Sequence, residues 1–174
     1  MISVLKKIKE ERTLAEFHPK RDDDGKFNVG FCLDYDDEYY LVESISPKGR
    51  WDGYACYLVD EIDAIAVDTI YLNNIKKLMQ HKRSYHREFP ITDKTVLAEM
   101  FDYIMQNKKI CTIMTSEGAY ISGIITEVLN NVVVIDSMDG DGYKDGVWYI
   151  KKDNIVVISV DSEAEVKLEV ISNQ

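Results

Sequence analysis

The feature that most limits what this chain can fold into is an internal correspondence. Slid against itself by 93 positions, residues 29–78 lie on residues 122–171 without a gap. Gly30 meets Gly123, Ser44 meets Ser137, Gly49 meets Gly142, and Asp52-Gly53 meets Asp145-Gly146. DEIDAIAVDT (60–69) then meets DNIVVISVDS (153–162), with Asp60/Asp153, Ile62/Ile155, Ile65/Ile158, Val67/Val160 and Asp68/Asp161 in register. About ten of some fifty pairs are identical, and the unbroken frame, the paired turns and the shared apolar rhythm weigh more than that count. Upstream, Gly25 meets Gly118, Phe27 meets Tyr120, and Val4-Leu5 meets Val96-Leu97 at an offset of 92. A chain of 174 residues has room for one domain or two small ones, and the correspondence selects one unit used twice.

Each unit reads as a helix followed by short strands. VLKKIKE (4–10) and the stretch from Asp93 to Asn107 carry apolar residues at helical spacing, the second at Val96, Leu97, Met100, Phe101 and Ile104. Asp93, following Pro90, is the expected N-cap. Five runs follow in each unit: LAEFH, KFNVGFCLDY, YYLVESI, GYACYLV and IDAIAVD in the first; KICTIMT, AYISGIITEVL, VVVIDSM, GVWYIK and IVVISVD in the second. Gly30 and Gly123 fall inside the second run, where a glycine marks a sharp bend or a close backbone approach. The expected fold is mainly β with helices: two tandem helix-plus-five-stranded small barrels. Residues 1–70 form the first unit, 71–92 a helical basic linker, and 93–174 the second unit.

DGDGYKDG (139–146) holds three Asp and three Gly in eight positions, which raises the question of a calcium loop. An EF-hand needs oxygen ligands at positions 1, 3 and 5, Gly at 6 and Glu at 12. Counted from Asp139, the fifth residue is Tyr143, the sixth Lys144 and the twelfth Ile150. The corresponding stretch of the first unit, SPKGRWDG (46–53), keeps two glycines and the Asp-Gly pair but not the acids. What the units share is turn chemistry, so a hairpin turn is expected at both places.

The formal net charge is −10, which repels phosphate backbones and argues against general nucleic-acid coating. KKLMQHKRSYHR (76–87) departs from this balance, with five Lys/Arg and no acid. It reads as a solvated helix face, or more sharply as a docking patch for an acidic partner. The apolar runs are short, such as VVVI (132–135), against the roughly 20 residues that a membrane helix needs. MISVLKKIKEER has no apolar core of a secretory leader and no cleavage site. Cys32, Cys56 and Cys111 are odd in number and form no CxxC pair, so they read as small core residues in a reduced, cytoplasmic protein.

The order of helix, second strand bent at Gly (GIITEV, 123–128), apolar third strand (VVVID, 132–136), turn and two tightly joined final strands (YIKKDNIVVISV, 149–160) resembles the Sm-like (LSm) small barrels of the wider SH3-like kind. The resemblance covers roughly residues 93–161 and, more weakly, 1–68. Sm-like proteins that bind RNA carry Asp, a hydrophobic residue and Asn after the Gly. Here Leu129 falls where the Asp would be, and in the first unit Asp36 fits that place while Tyr39 and Tyr40 take the later ones. The Arg-Gly before the last strand is replaced by Val59-Asp60-Glu61 and Lys152-Asp153-Asn154. The resemblance therefore implies the fold more than RNA binding. It also implies assembly, because Sm-like barrels form rings by pairing outer strands.

No catalytic constellation is legible. His18, His81 and His86 all lie in the first half, and HKRSYH spaces its pair five apart, not at the i, i+4 of a helical metal pair. GxSxG, P-loop and GxGxxG patterns are absent, and neither metal nor small-molecule cofactor is expected. The acids Asp22-Asp23-Asp24 and Asp34/Asp36/Asp37/Glu38 fall in expected loops, as solvated charge. The surplus aromatics Tyr39, Tyr40, Trp51, Tyr54 and Tyr57 are more suggestive. Half must face the core by strand alternation; the remainder, with Lys48 and Arg50, can form a stacking and cationic platform for a peptide or single-stranded RNA. Tyr143, Lys144 and Trp148 occupy the matching region of unit two. The candidate binding residues are thus Lys48, Arg50, Trp51, Tyr54, Tyr143 and Lys144, with Lys82, Arg83, Tyr85 and Arg87 of the basic segment. The expected function is a non-enzymatic protein-binding or self-assembling scaffold without membrane association. RNA binding through the basic segment and the unit-one aromatics is the alternative.

Overall fold

Leu5 and Ile8, one turn apart, give the first helix its buried face. That helix, α1 (Ile2–Glu10), opens the first of two units, Met1–Glu88 and Phe89–Gln174. The computed structural model describes residues 1–20, 25–81 and 88–172, without the side chain of His81. In unit 1, α1 is followed by β1 (Leu14–Pro19), β2 (Asn28–Tyr35), β3 (Tyr39–Ile45), β4 (Trp51–Leu58), a 3-10 turn (Val59–Glu61), β5 (Ile62–Val67) and α2 (Ile70–His81). Unit 2 runs α3 (Val96–Asn107), β6 (Ile110–Thr115), β7 (Tyr120–Val128), β8 (Val132–Met138), β9 (Lys144–Lys151), a 3-10 turn (Lys152–Asn154), β10 (Ile155–Val160) and α4 (Glu163–Ser172). The protein is mainly β. Among the described residues no helix is long and apolar enough to cross a membrane.

Strands are antiparallel in the order β5-β1-β2-β3-β4 in unit 1 and β10-β6-β7-β8-β9 in unit 2. From β3 to β5 each element lies on its counterpart from β8 to β10 at the same displacement of 93. Irregularities correspond too. The β2–β3 ladder slips between Cys32 and Asp34, and the β7–β8 ladder between Ile125 and Glu127. Such bulges bend the strand and tighten its twist.

Upstream the frame is 96, not 92. The N–H of Thr13 donates to Ile8 O at 2.9 Å and that of Lys109 to Ile104 O at 3.0 Å. Arg12 and Lys108, each just before these residues, are left-handed at φ 47° and 51°. The two frames differ by about one helical turn, so the wrong one keeps the same apolar face.

Unit 1 buries apolar side chains on both faces of its sheet, because successive strand residues alternate. Ala15 and Phe17 pack with Leu5 and Ile8 of α1, Cys32 and Val42. Leu14, Val29 and Ile45 pack with Leu72 and Ile75 of α2. The first part of the expected helical linker 71–92 is thus in α2, which packs on the sheet of unit 1. In unit 2, Val96, Met100, Phe101 and Ile104 of α3 are buried, as are Ile113, Ile121, Val133, Ile135, Ile155 and Ile158 of the strands.

Helix starts differ from expectation. Thr95, not Asp93, is the N-cap of α3, and its side chain makes no capping hydrogen bond. Glu99 reaches back instead: its Oε1 accepts from the Thr92 hydroxyl at 2.8 Å and the Thr92 N–H at 2.5 Å. The α4 helix, not foreseen, starts with the reach-back bond of a capping box, in which Ser162 N–H donates to Glu165 Oε2 at 2.8 Å.

Candidate functional site

The expected hairpin turn at 139–143 forms. Asp139 Oδ1 accepts the N–H groups of Asp141 and Tyr143 at 3.0 and 2.9 Å, and Asp139 N–H donates to Tyr143 O at 2.9 Å. One carboxylate is therefore spent on the backbone of its own turn, as Asp does in tight turns. The turn hands the chain to β9, which lies at the end of its sheet.

β9 carries the most unusual surface. Its register pairs Asp136 with Val147, Ile135 with Trp148, Val134 with Tyr149 and Val133 with Ile150. Trp148 and Ile150 thus share the face of the buried Ile135 and Val133, while Val147 and Tyr149 point the other way. Val147 is 47% exposed, Trp148 46% and Tyr149 73%. On the Val147 face, Ile124 of β7 stands across Asp136 and is itself exposed. At the matching positions of β4, Tyr54, Ala55 and Cys56 are all buried. At corresponding positions, then, β4 buries its three side chains and β9 exposes them. An edge strand offers unpaired backbone donors and acceptors, and exposed apolar side chains add a driving force for covering it.

The residues expected to bind do not form one site. Lys48 and Arg50 are exposed in the β3–β4 turn, where Ser46 N–H donates to Arg50 O at 2.8 Å. Trp51 is half-buried and meets Tyr54 edge-on, with centroids 5.5 Å apart. Tyr54 itself is in the core, so it supplies no stacking surface. Tyr39 and Tyr40 are buried as well, and Tyr40 stacks on Tyr57 at 5.3 Å. The unit-one aromatics are therefore chiefly packing. Tyr143 is 72% exposed, and Lys144 pairs with Asp136 at 3.3 Å. Lys82, Arg83, Tyr85 and Arg87 lie outside the described residues. His18 sits 3.2 Å from Glu16 Oε2 with its ring against Phe27. Glu16 Oε1 in turn accepts from the Thr69 hydroxyl at the start of α2, which makes this a structural link.

Val147 and Tyr149 were missed as a surface. Strand alternation in VWYI puts both on one face of β9, but it does not say whether that face is covered, since Tyr54 and Cys56 alternate alike in β4 and are buried.

No protein-family model matches the chain, and no curated protein matches it significantly. Among solved structures, the chain is similar to Hfq, described as a pleiotropic translational regulator, with 21% identity and a TM-score of 0.33 over 41% of this chain and 98% of that one. It is also similar to YcgR from Escherichia coli in complex with c-di-GMP, with 8% identity and a TM-score of 0.21 over 98% of this chain and 86% of that one.

Proposed function

We propose that the chain is a tandem pair of Sm-like, SH3-like small barrels that works as a non-enzymatic, self-assembling protein-binding scaffold in the cytoplasm, with β9 as the strand to which another chain is added. The exposed row on β9 carries this reading. Val147, Trp148 and Tyr149 are bare where Tyr54, Ala55 and Cys56 of β4 are buried. Strand addition to such an edge satisfies its backbone groups and removes its apolar side chains from water in one step. Three buried free thiols fit a reducing compartment.

Analytical ultracentrifugation over a range of concentrations tests it. The wild-type chain should sediment as an oligomer, Val147→Lys/Tyr149→Lys should shift it to the monomer, and Lys82→Ala/Arg83→Ala/Arg87→Ala should leave its mass unchanged. A wild-type monomer at every concentration would sink the reading. The alternative is RNA binding through the basic segment with Lys82, Arg83 and Arg87 and the unit-one aromatics, beside which Lys48 and Arg50 are exposed. Its test is fluorescence anisotropy with a mixed-sequence oligoribonucleotide. Salt-sensitive binding lost in the same triple-Ala variant would favour it.

A further inference from the structure

We infer that unit 1 carries a binding cleft for the ammonium group of a small aliphatic amine, held at Asp68 where unit 2 holds its own Lys109. In unit 2 the place is filled from within. Lys109 Nζ lies 2.8 Å from Asp161 Oδ1 and 3.3 Å from Glu169 Oε2. The Tyr103 hydroxyl donates to Asp161 Oδ2 at 2.7 Å, and Asp161 is almost fully buried. Unit 1 builds the same backbone around the same spot. Asp68 and Asp161 each follow the last residue of their strand and are left-handed, at φ 55° and 62°. Thr13 and Lys109 make the same hydrogen bond back to their helices, Thr13 N–H to Ile8 O and Lys109 N–H to Ile104 O.

The difference is the side chain. Thr13 stands where Lys109 would extend its four-carbon arm, and the Asp68 side chain is left 75% exposed. A cleft of about 580 Å³ opens there, against about 230 Å³ beside Lys109 in unit 2. Leu14, Phe31 and Met79 line it with apolar surface suited to methylene groups, and Glu11, Arg12 and Asp68 give it charge of both signs. Lys76 meets Asp68 Oδ1 at 3.1 Å, and Oδ2 has no hydrogen bond among the described residues. A carboxylate oxygen beside apolar surface is what an alkylammonium needs: one charge-assisted hydrogen bond and a place to desolvate its chain. Lys76 occupies the position that Glu169 holds in unit 2, so the ligand meets an Asp68 already paired with a lysine and binds weakly.

The probe is n-butylammonium, the free counterpart of the Lys109 side chain, followed by ligand-detected saturation-transfer NMR with the full chain. Binding should be saturable, at least about tenfold weaker in Asp68→Asn and for the neutral isostere n-butanol. It should be lost in Thr13→Lys, which refills the cleft as unit 2 does. Binding unchanged in Asp68→Asn, or equal for butanol, or no saturable transfer, would overturn the site. Binding of Nα-acetyl-lysine amide without n-butylammonium would overturn the free amine in favour of a partner's lysine. Asp68→Asn should leave the sedimenting mass unchanged, so failure here and failure of the β9 reading are separable.

Discussion

A Cβ placed on Gly123 would lie 2.1 Å from the carbonyl oxygen of Asp136, and one on Gly30 would lie 2.2 Å from that of Glu43. The contact is with backbone of the paired strand, which has no flexible end to move aside. Gly123→Ala should therefore force β7 and β8 apart and cost about 1–3 kcal/mol, as overpacking does. Gly140→Ala, whose Cβ would meet nothing within 4 Å, should stay within about 0.5 kcal/mol of wild type. Urea midpoints of the two variants test this; equal midpoints would refute the close-approach account.

The Lys109–Asp161 pair makes stability depend on alkaline pH. Partial burial pulls the Lys109 ammonium down, but the hydrogen bond and charge of Asp161, then those of Glu169, outweigh it, and the net shift is upward from 10.5. A pKa raised on folding adds stability that is fully present below the unfolded value and is lost as pH rises through the folded one. The Tm gap between wild type and Lys109→Met should hold constant from about pH 7 to 9 and narrow above about pH 10.5. A gap that stays constant to the alkaline end would show that Lys109 acts by packing alone.

Much of this framework was legible in the sequence. The frame of 93 located β3 and β8 to the residue, because a strand's period of two makes any odd slip turn its apolar face outward. The helices had no such safeguard. Aligning Val4-Leu5 with Val96-Leu97 is wrong by four residues, yet keeps the same residues on the buried side. Surface was harder to read than core. The burial of Tyr39, Tyr40 and Tyr54 and the exposure of Tyr149 are not written in their side chains, since tyrosine suits either setting. What separates Tyr149 from its counterpart Cys56 is whether its strand is covered, and the local pattern does not contain that.

The three thiols should be inert in the native protein. Cys32 is pushed up to about 12, mainly by burial, with Lys9 opposing and Asp34 reinforcing the shift. Cys56 and Cys111 are buried and raised as well, burial being the main cause for both. Since the thiolate is the reactive form, an aromatic disulfide reagent at about pH 8 should label none of them until denaturant is added. Rapid labelling of the folded chain would mean that one of these strands opens readily.

Leu72 and Glu165 hold matching positions on α2 and α4 and are both buried, yet one is apolar and the other acidic. The difference is in their partners. Glu165 accepts from Ser159 Oγ at 2.7 Å and from Ser162 N–H at 2.8 Å, whereas Ala66 stands where unit 1 would need Ser159. A buried carboxylate is tolerated only with such donors, so Leu72→Glu should be the harsher exchange, at more than about 2 kcal/mol. Glu165→Leu should lose about 1–3 kcal/mol by orphaning the serine hydroxyl and the helix N–H. Adding Ser159→Ala to Glu165→Leu removes the stranded hydroxyl, so the double variant should recover part of that loss. A double variant as unstable as the sum of the two single changes would mean that the serine and the glutamate do not act through this bond.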